Sequence, residues 1–346
     1  MNHLKPQGNL AHVAKNLSRG SPAALRPVMS SLNGDHSWLI SIPRPIDDIR
    51  TLGKAYFHIV YDPWLSGAAI TFKSWLISIS LVQGPSATCA ADVEALVDQL
   101  EEVTMDALGL SRKKRVDETG YKGGIDMILL GFHFTDHVHK KTLTTFDARI
   151  PVLATQQAMD IVAPWNHFVQ IDVLYDLKPD DTTWQHLSPK VLPDWVSVVR
   201  MLGHHELNFL LAFIWTHSNE DGNTVHEAVV ASPHGVRTDQ ERVQAFFKSE
   251  PPTRKLAMLH GIVDGWTAGW QNTFGFESGV PLHEALGGCS YWVTTHSAPK
   301  WYRGLFLRMA QRERQGNMDE VMEKQGVKKG RIHRVEVANG DALVLV

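Results

Sequence analysis

Cysteine is nearly absent: Cys89 and Cys289 are the only two in 346 residues. At most one bridge can form, so no disulfide framework organises the chain, and two free thiols in a cytoplasmic protein are expected. Long apolar runs are missing as well. No stretch reaches the roughly 18 apolar residues of a membrane-spanning helix. "MNHLKPQGNLAHVAKNLSRG" at the start lacks the apolar centre of a secretory signal. Nor is there a basic excess: 34 Lys and Arg against 37 Asp and Glu give a formal charge of -3, so no nucleic-acid partner is expected. No membrane partner is expected either.

Several catalytic signatures are also missing. No Gly-x-Gly-x-x-Gly follows an apolar strand, and no Gly-x-x-x-x-Gly-Lys loop occurs, which removes the usual cradles for nucleotide phosphates. No Gly-x-Ser-x-Gly elbow marks a serine hydrolase. No repeat of 20 to 50 residues is visible, so solenoids and propellers are excluded. Cys289, in "LGGCSYW", opens an apolar strand and reads as a small buried residue, not a nucleophile.

What the chain has in abundance is histidine, 18 copies, together with 11 tryptophans and a 43% hydrophobic content sufficient for a large core. Alternation and β-branched content predict strands over 36–43, 55–65, 125–132, 150–155 and 167–177. They also predict a hairpin, 208–217 with 224–235, turning at Asp221-Gly222. Apolar residues at helical spacing predict helices over 91–109 and 156–165. "EPPTRKLAMLHGIVDGW" and "YWVTTHSAPK" read as strand-to-loop units. "PKWYRGLFLRMAQRERQG" reads as the opening of a helix, and "IHRVEVANGDALVLV" as a closing hairpin around Asn339-Gly340. Residues 1–28 form an N-terminal arm and 29–346 one domain. Lys113, Lys114 and Arg115 belong to a solvated loop.

Chemistry concentrates behind one strand. "ILLGFHFTDHVHKKTL" (128–143) places His133, Asp136, His137 and His139 within seven positions directly after an apolar run. Two more apolar strands end in histidine, at His234 in "SPHG" and His296 in "TTHS". Residues carried by loops at one rim of packed sheets can converge, and imidazole and carboxylate are zinc ligands. Asp136, His137, His234 and His296 are therefore the candidate ligands, with Asp136, His137 and His234 also the candidate catalytic groups. His133 and His139 extend the first loop. With so many histidines several are incidental, and His217, His226 and His260 taken singly read as structural.

The order of these segments resembles the metallo-β-lactamase-fold superfamily. Its His-x-His-x-Asp-His motif overlays "FHFTDH" (132–137), with Phe132 and Phe134 at the two leading histidines and Asp136-His137 at the last two positions. "GDHSWLISIP", "YFHIVYDPWLSG", "PVLATQQAMDIVAPWNHF", "VVASPHG" and "YWVTTHSAPK" follow in the superfamily's order, and "TDHVHKKTL", "SPHG" and "THS" are similar to a fungal group within it. His234 stands where an aspartate is usual, and His296 at the final histidine.

The resemblance implies a four-layer αββα sandwich and a hydrolase cleaving an ester, lactone, thioester or amide bond of a small lipophilic metabolite. One of two metal positions loses its imidazoles to phenylalanine, which cannot ligate. Its third histidine has no match beyond His204 or His205. At most one metal ion, zinc, is expected. Four protein ligands would close the site, so His234 would stay off the metal in a catalyst. The alternative reading takes the phenylalanines as an apolar floor: a metal-free lyase, cyclase, isomerase or binder of a secondary-metabolite pathway, using histidine as acid or base. Phe132, His133, Phe134, His139 and Trp64 are the pocket candidates, with Trp38, Trp75, Trp165 and Trp292 as further wall residues.

Overall fold

Met-Ile-Leu-Leu, residues 127–130, is buried along its whole length, as a strand must be when both sheet faces are covered. The computed structural model describes residues 25–113, 120–219, 221–328 and 330–346. Most of the N-terminal arm, residues 1–24, lies outside them, as do Lys114 and Arg115 of the basic loop.

Two sheets form the body. The first comprises β1 (Val28–Ser31), β2 (Trp38–Pro43), β3 (Tyr56–Tyr61), β4 (Met127–Leu130), β5 (Val152–Ala154), β6 (Ile171–Val173) and the C-terminal Ala342–Val344, in the order Ala342–Val344, β1, β2, β3, β4, β5, β6. The second comprises β7 (Val196–His205), β8 (Asn208–Ser218), β9 (Thr224–Ser232), β10 (Arg254–His260), β11 (Tyr291–Thr294) and β12 (Arg334–Val335), in reverse chain order across the sheet. Each sheet begins with antiparallel pairs and continues in parallel ones: β3 with β4, β4 with β5, β9 with β10, and β10 with β11. Parallel neighbours leave their C-terminal ends at one rim, where loops can meet.

Alternation decides what each face touches. Ile40, Ile59, Tyr61, Met127 and Leu129 of the first sheet pack between the sheets against Val198, Phe209, Leu211, Phe213 and Leu259 of the second. Their neighbours Leu39, Val60, Ile128 and Leu130 point the other way and meet Val93 and Val97 of the helix Ala90–Ala107. On the outer face of the second sheet, Val199, Leu210, Val230 and Met258 pack with Val243 and Phe246 of the helix Glu241–Lys248 and Val280 of Phe276–Ala285. The result is the αββα layering that the resemblance implies. Each such side chain contributes about 1.5–3 kcal/mol, and a one-residue register slip would turn every one to the wrong face.

The structure departs from the sequence reading in places. Lys300–Gln315 is not one helix. Gly304, at φ +92°, separates the strand Lys300–Arg303 from a short helix, Leu305–Ala310, and a further strand, Gln311–Gln315, follows. The two strands pair with Ile77–Leu81 and Val263–Thr267, distant partners that local helical spacing does not reveal. The closing hairpin is also corrected: the turn at Asn339-Gly340 exists, but its arms join different sheets, β12 beside β11 and Ala342–Val344 beside β1. The strand expected over 167–177 shrinks to Ile171–Val173. β1 and β7 were not read from the sequence. Among the described residues no helix is long and apolar enough to cross a membrane.

Candidate metal centre at the strand ends

Every loop of the site leaves the C-terminal end of a strand or a turn beside one. Between β1 and β2, Asn33 Oδ1 accepts from the backbone N–H groups of Asp35 and Ser37, an Asx turn that presents Asp35 and His36. Asp62 follows β3. After β4, backbone bonds from His137 and Val138 to Phe134 O close a tight turn that carries Asp136 and His137. His234 follows β9. Here Gly235 has φ +75°, and an added Cβ would lie 2.3 Å from Phe274 O, so no larger residue fits. Asn208 Nδ2 clamps that loop through the carbonyls of His234 and Gly235. His296 follows β11. Asp62 and His296 both hold left-handed backbone, at φ 44° and 49°, strain of the kind that concentrates at functional sites.

The loops bring His137, His234 and His296 together, with one ring nitrogen of each within 4.8 Å of the others. Ring centroids lie 5.5 Å apart for His137–His234, 5.6 Å for His137–His296 and 4.5 Å for His234–His296. Asp136 takes a different place. Its carboxylate groups with His36 and His137, 3.8 Å from His137 Nε2.

Buried carboxylates behind the rings set their tautomers. His137 Nδ1–H donates to Asp62 Oδ2 at 2.7 Å, and His296 Nδ1–H donates to Asp35 Oδ2 at 3.0 Å. An ionised carboxylate only accepts, so in the neutral rings both Nε2 lone pairs face inward. Among the described residues His137 Nε2 has no partner although it is buried, and neither has His234 Nδ1. His296 Nε2 faces His234 Nε2 at 3.0 Å. Imidazole nitrogens of this kind, two of the rings backed by carboxylates, are donors that a divalent transition metal could take.

Charge is balanced around them. Burial alone would raise the pKa of Asp35, but Lys300 at 2.8 Å and His296 outweigh it and hold the carboxyl well below its ordinary range. Burial also opposes ionisation of Asp136, yet His137, His36 and His296 together lower its pKa. For His137, burial is outweighed by Asp136 and Asp62 and the pKa rises. Burial, reinforced by neighbouring rings, pushes His234 well down. His296 falls to about 4, through burial and then Lys300, against the pull of Asp35.

The other expected residues are dispersed. Phe132 is buried, its ring 5.3 Å from that of His137 and 5.7 Å from that of His234, and it floors the cluster. Phe134 stands half exposed at the lip. Trp64 is buried behind the site, 5.9 Å from the His36 ring. His133 points to Glu206, 3.8 Å away, and His139 bonds Thr142 Oγ1 at 2.8 Å, so neither joins the cluster. His204 and His205 turn toward Phe274 and Trp270. Sequence reasoning missed Asp35, His36 and Lys300. His36 stacks on His137 at 4.3 Å, and its Nε2 lies 3.0 Å from the carbonyl of Asp136. A signal existed: Asp35-His36 is a second Asp-His pair beside a strand, like Asp136-His137.

No protein-family model and no curated protein matches the sequence. Among solved structures, the chain is similar to a possible metal-dependent hydrolase from Veillonella parvula DSM 2008, with TM-score 0.49 and 9% identity, over 93% of this chain and 100% of that one. It is similar to isothiocyanate hydrolase from Delia radicum gut bacteria, with TM-score 0.47 and 12% identity, over 92% and 98%. It is also similar to the metallo-beta-lactamase fold protein YhfI from Bacillus subtilis, with TM-score 0.42 and 9% identity, over 92% and 99%. Identities this low carry no residue-by-residue correspondence.

Proposed function

We propose that the three-imidazole cluster holds one zinc ion and that the chain is a metallo-β-lactamase-fold hydrolase, cleaving an ester, lactone, thioester or amide bond of a small lipophilic metabolite. One observation carries this reading: two of the rings donate Nδ1–H to buried carboxylates, which leaves His137 Nε2 without a partner among the described residues and His296 Nε2 facing His234 Nε2 at 3.0 Å. His137, His234 and His296 would hold the ion. When bound, it supplies Lewis acidity and a nucleophile usable at neutral pH.

The chain's own residues do the rest. Asp136 falls in a second possible ligand group, with His36 and His137, its Oδ2 3.8 Å from His137 Nε2; with the three imidazoles on the ion it is left as the base. Three protein ligands and an open position are the usual catalytic arrangement. Held as a carboxylate by its histidine neighbours, Asp136 takes a proton at a carboxylate oxygen. His36 fixes the backbone under it by bonding its carbonyl. Asp62 and Asp35 orient the ligand rings, and Lys300 balances Asp35. Phe132 closes the floor against water.

A metal-free lyase, cyclase or isomerase is the second reading, favoured by the same buried Phe132 and by the lowered pKa of His296, about 4, which keeps a neutral base available. Metal analysis of protein purified without added ions separates the two. About one zinc per chain is expected. Less than about 0.3 per chain, unrestored by zinc, would overturn the metal reading. Activity that His137→Ala abolishes with no metal present would establish the second.

A further inference from the structure

One face beside the site is apolar and exposed. It is built from the small sheet of Ala69–Thr71, Ile77–Leu81 and Lys300–Arg303 with the helix Leu305–Ala310. Phe72 is 82% exposed, Trp75 66%, Leu305 62% and Met309 70%, with Trp301 and Phe306 also open. Phe72 sits at φ +64°, in the left-handed region that an aromatic residue rarely adopts, so the turn holds it outward at some strain. The pieces form one unit: Leu305 N–H donates to Trp75 O at 2.8 Å, and Phe306 N–H to Leu76 O at 3.3 Å. Aromatic and large aliphatic side chains massed in the open mark an interaction surface, not scattered exposure.

Charge says what the partner is. Neither 63–91 nor 285–312, the two segments that build this unit, contains an aspartate or glutamate. Lys73, Arg303, Arg308 and Arg312, in the same two segments, are exposed. The nearest acid in sequence, Glu313, is engaged by the Tyr302 hydroxyl. Exposed Trp, Phe and Leu interspersed in sequence with exposed Lys and Arg, with no acid among them, match the headgroup and acyl boundary of an anionic bilayer. A second copy would bring the same cations face to face. We propose that this face docks on the surface of an anionic lipid bilayer.

The placement has a use. Thr71 Oγ1 and Thr135 Oγ1 bond at 2.9 Å, tying the platform to the loop of Asp136 and His137, and Lys300 follows His296 by four positions. Docking would turn the site's mouth, with half-exposed Phe134, toward the lipid. The absence of a spanning helix bears on insertion, not on this contact.

Flotation of the full chain with vesicles tests it. Binding is expected to phosphatidylcholine–phosphatidylserine at about 4:1, above that to phosphatidylcholine alone, and to weaken with salt. The double substitution Phe72→Ser with Trp75→Ser, and separately Arg303→Glu with Arg308→Glu, should each reduce binding at least about tenfold. Unchanged melting temperature and zinc content would show intact folding and an intact site; Leu305→Ser serves as a further variant if one of these misfolds. Equal binding to both vesicles, or binding that the variants do not reduce, would overturn the proposal. So would a dimer, in light scattering without lipid, that Trp75→Ser dissolves. So would a raised KM for a soluble substrate in those variants with no vesicle binding at all.

Discussion

β3 and β4 carry a buried ionisable cluster at each end, and the two differ in whether their imidazole nitrogens are all engaged. At the N-terminal ends, Asp126 accepts from Arg44 at 2.6 Å, Lys54 at 2.5 Å and the His58 backbone at 2.7 Å. His58 bonds Ser41 through Nδ1 and Glu101 through Nε2, each at 2.9 Å, and Glu101 also receives the N–H groups of Ala55 and Tyr56. Every ring nitrogen and carboxylate oxygen there is engaged. At the C-terminal ends the composition is similar, but among the described residues His137 Nε2 and His234 Nδ1 are left without partners. A buried polar group without a partner costs about 1–3 kcal/mol. A fold accepts that when something else fills the place. Size misleads here: a cavity of about 880 Å³ lies at the N-terminal end, lined by Lys54, Glu101, Tyr121 and Asp126. Unmet capacity on imidazole nitrogens, not volume, sets the C-terminal cluster apart.

The sharpest way to break the comparison is to remove one group from each end. His137→Ala should abolish bound zinc and lower hydrolytic rate by at least about 10⁴-fold, as loss of a core catalytic group does, read by elemental analysis and initial rates. Retained metal would show that the unpartnered nitrogens hold nothing. Asp126→Asn, by contrast, strands Arg44 and Lys54 and should cost about 3–5 kcal/mol in urea unfolding, with zinc content unaltered. A loss of zinc there would mean that the two ends are not independent.

Acid titration sharpens the same contrast. Burial alone would raise the pKa of Asp126, but Arg44 and Lys54 outweigh it and bring the group to about 2. A depressed carboxyl stabilises the fold above its unfolded value, and that contribution vanishes as pH falls through the folded one. The window is therefore from about pH 4 down to about 2, and the loss about 2–3 kcal/mol. Asp126→Asn should flatten unfolding free energy across that window, and an unchanged slope would assign the acid sensitivity elsewhere. The smallest effect is expected from Asp62→Asn, which keeps a side chain behind His137 but removes its charge. Zinc affinity should fall about 10–100-fold in competition with a chelator, while the N-terminal network is undisturbed.

How much of this was legible beforehand varied with the range of the interaction. Alternation marked β2, aromatic and β-branched content marked β3, the Asp221-Gly222 turn marked β8 and β9, and the helix Ala90–Ala107 followed its apolar spacing. Asp136-His137, His234 and His296 were readable as histidine-bearing strand ends, and the structure sets those three rings side by side. His36 was visible as part of an Asp-His pair, but its partner was hidden: His36 lies 100 residues before the Asp136 carbonyl that it touches. The docking face was equally invisible, because its aromatic residues come from 72–75 and 301–309 and become neighbours only when Lys300–Arg303 pairs with Ile77–Leu81.

Local chemistry thus determined by itself which side chains belong inside, which residues can donate to a metal, and where most strands run, since these follow from transfer free energy and backbone periodicity along contiguous chain. Only tertiary structure decided the partners. Whether His58 is satisfied and His137 bare, whether Asp136 stands with His296 or with His36, and which sheet receives each end of the chain are questions of distance between residues remote in sequence. Hydrogen bonds act over about 3 Å, and no pattern along the chain encodes which remote atoms come that close.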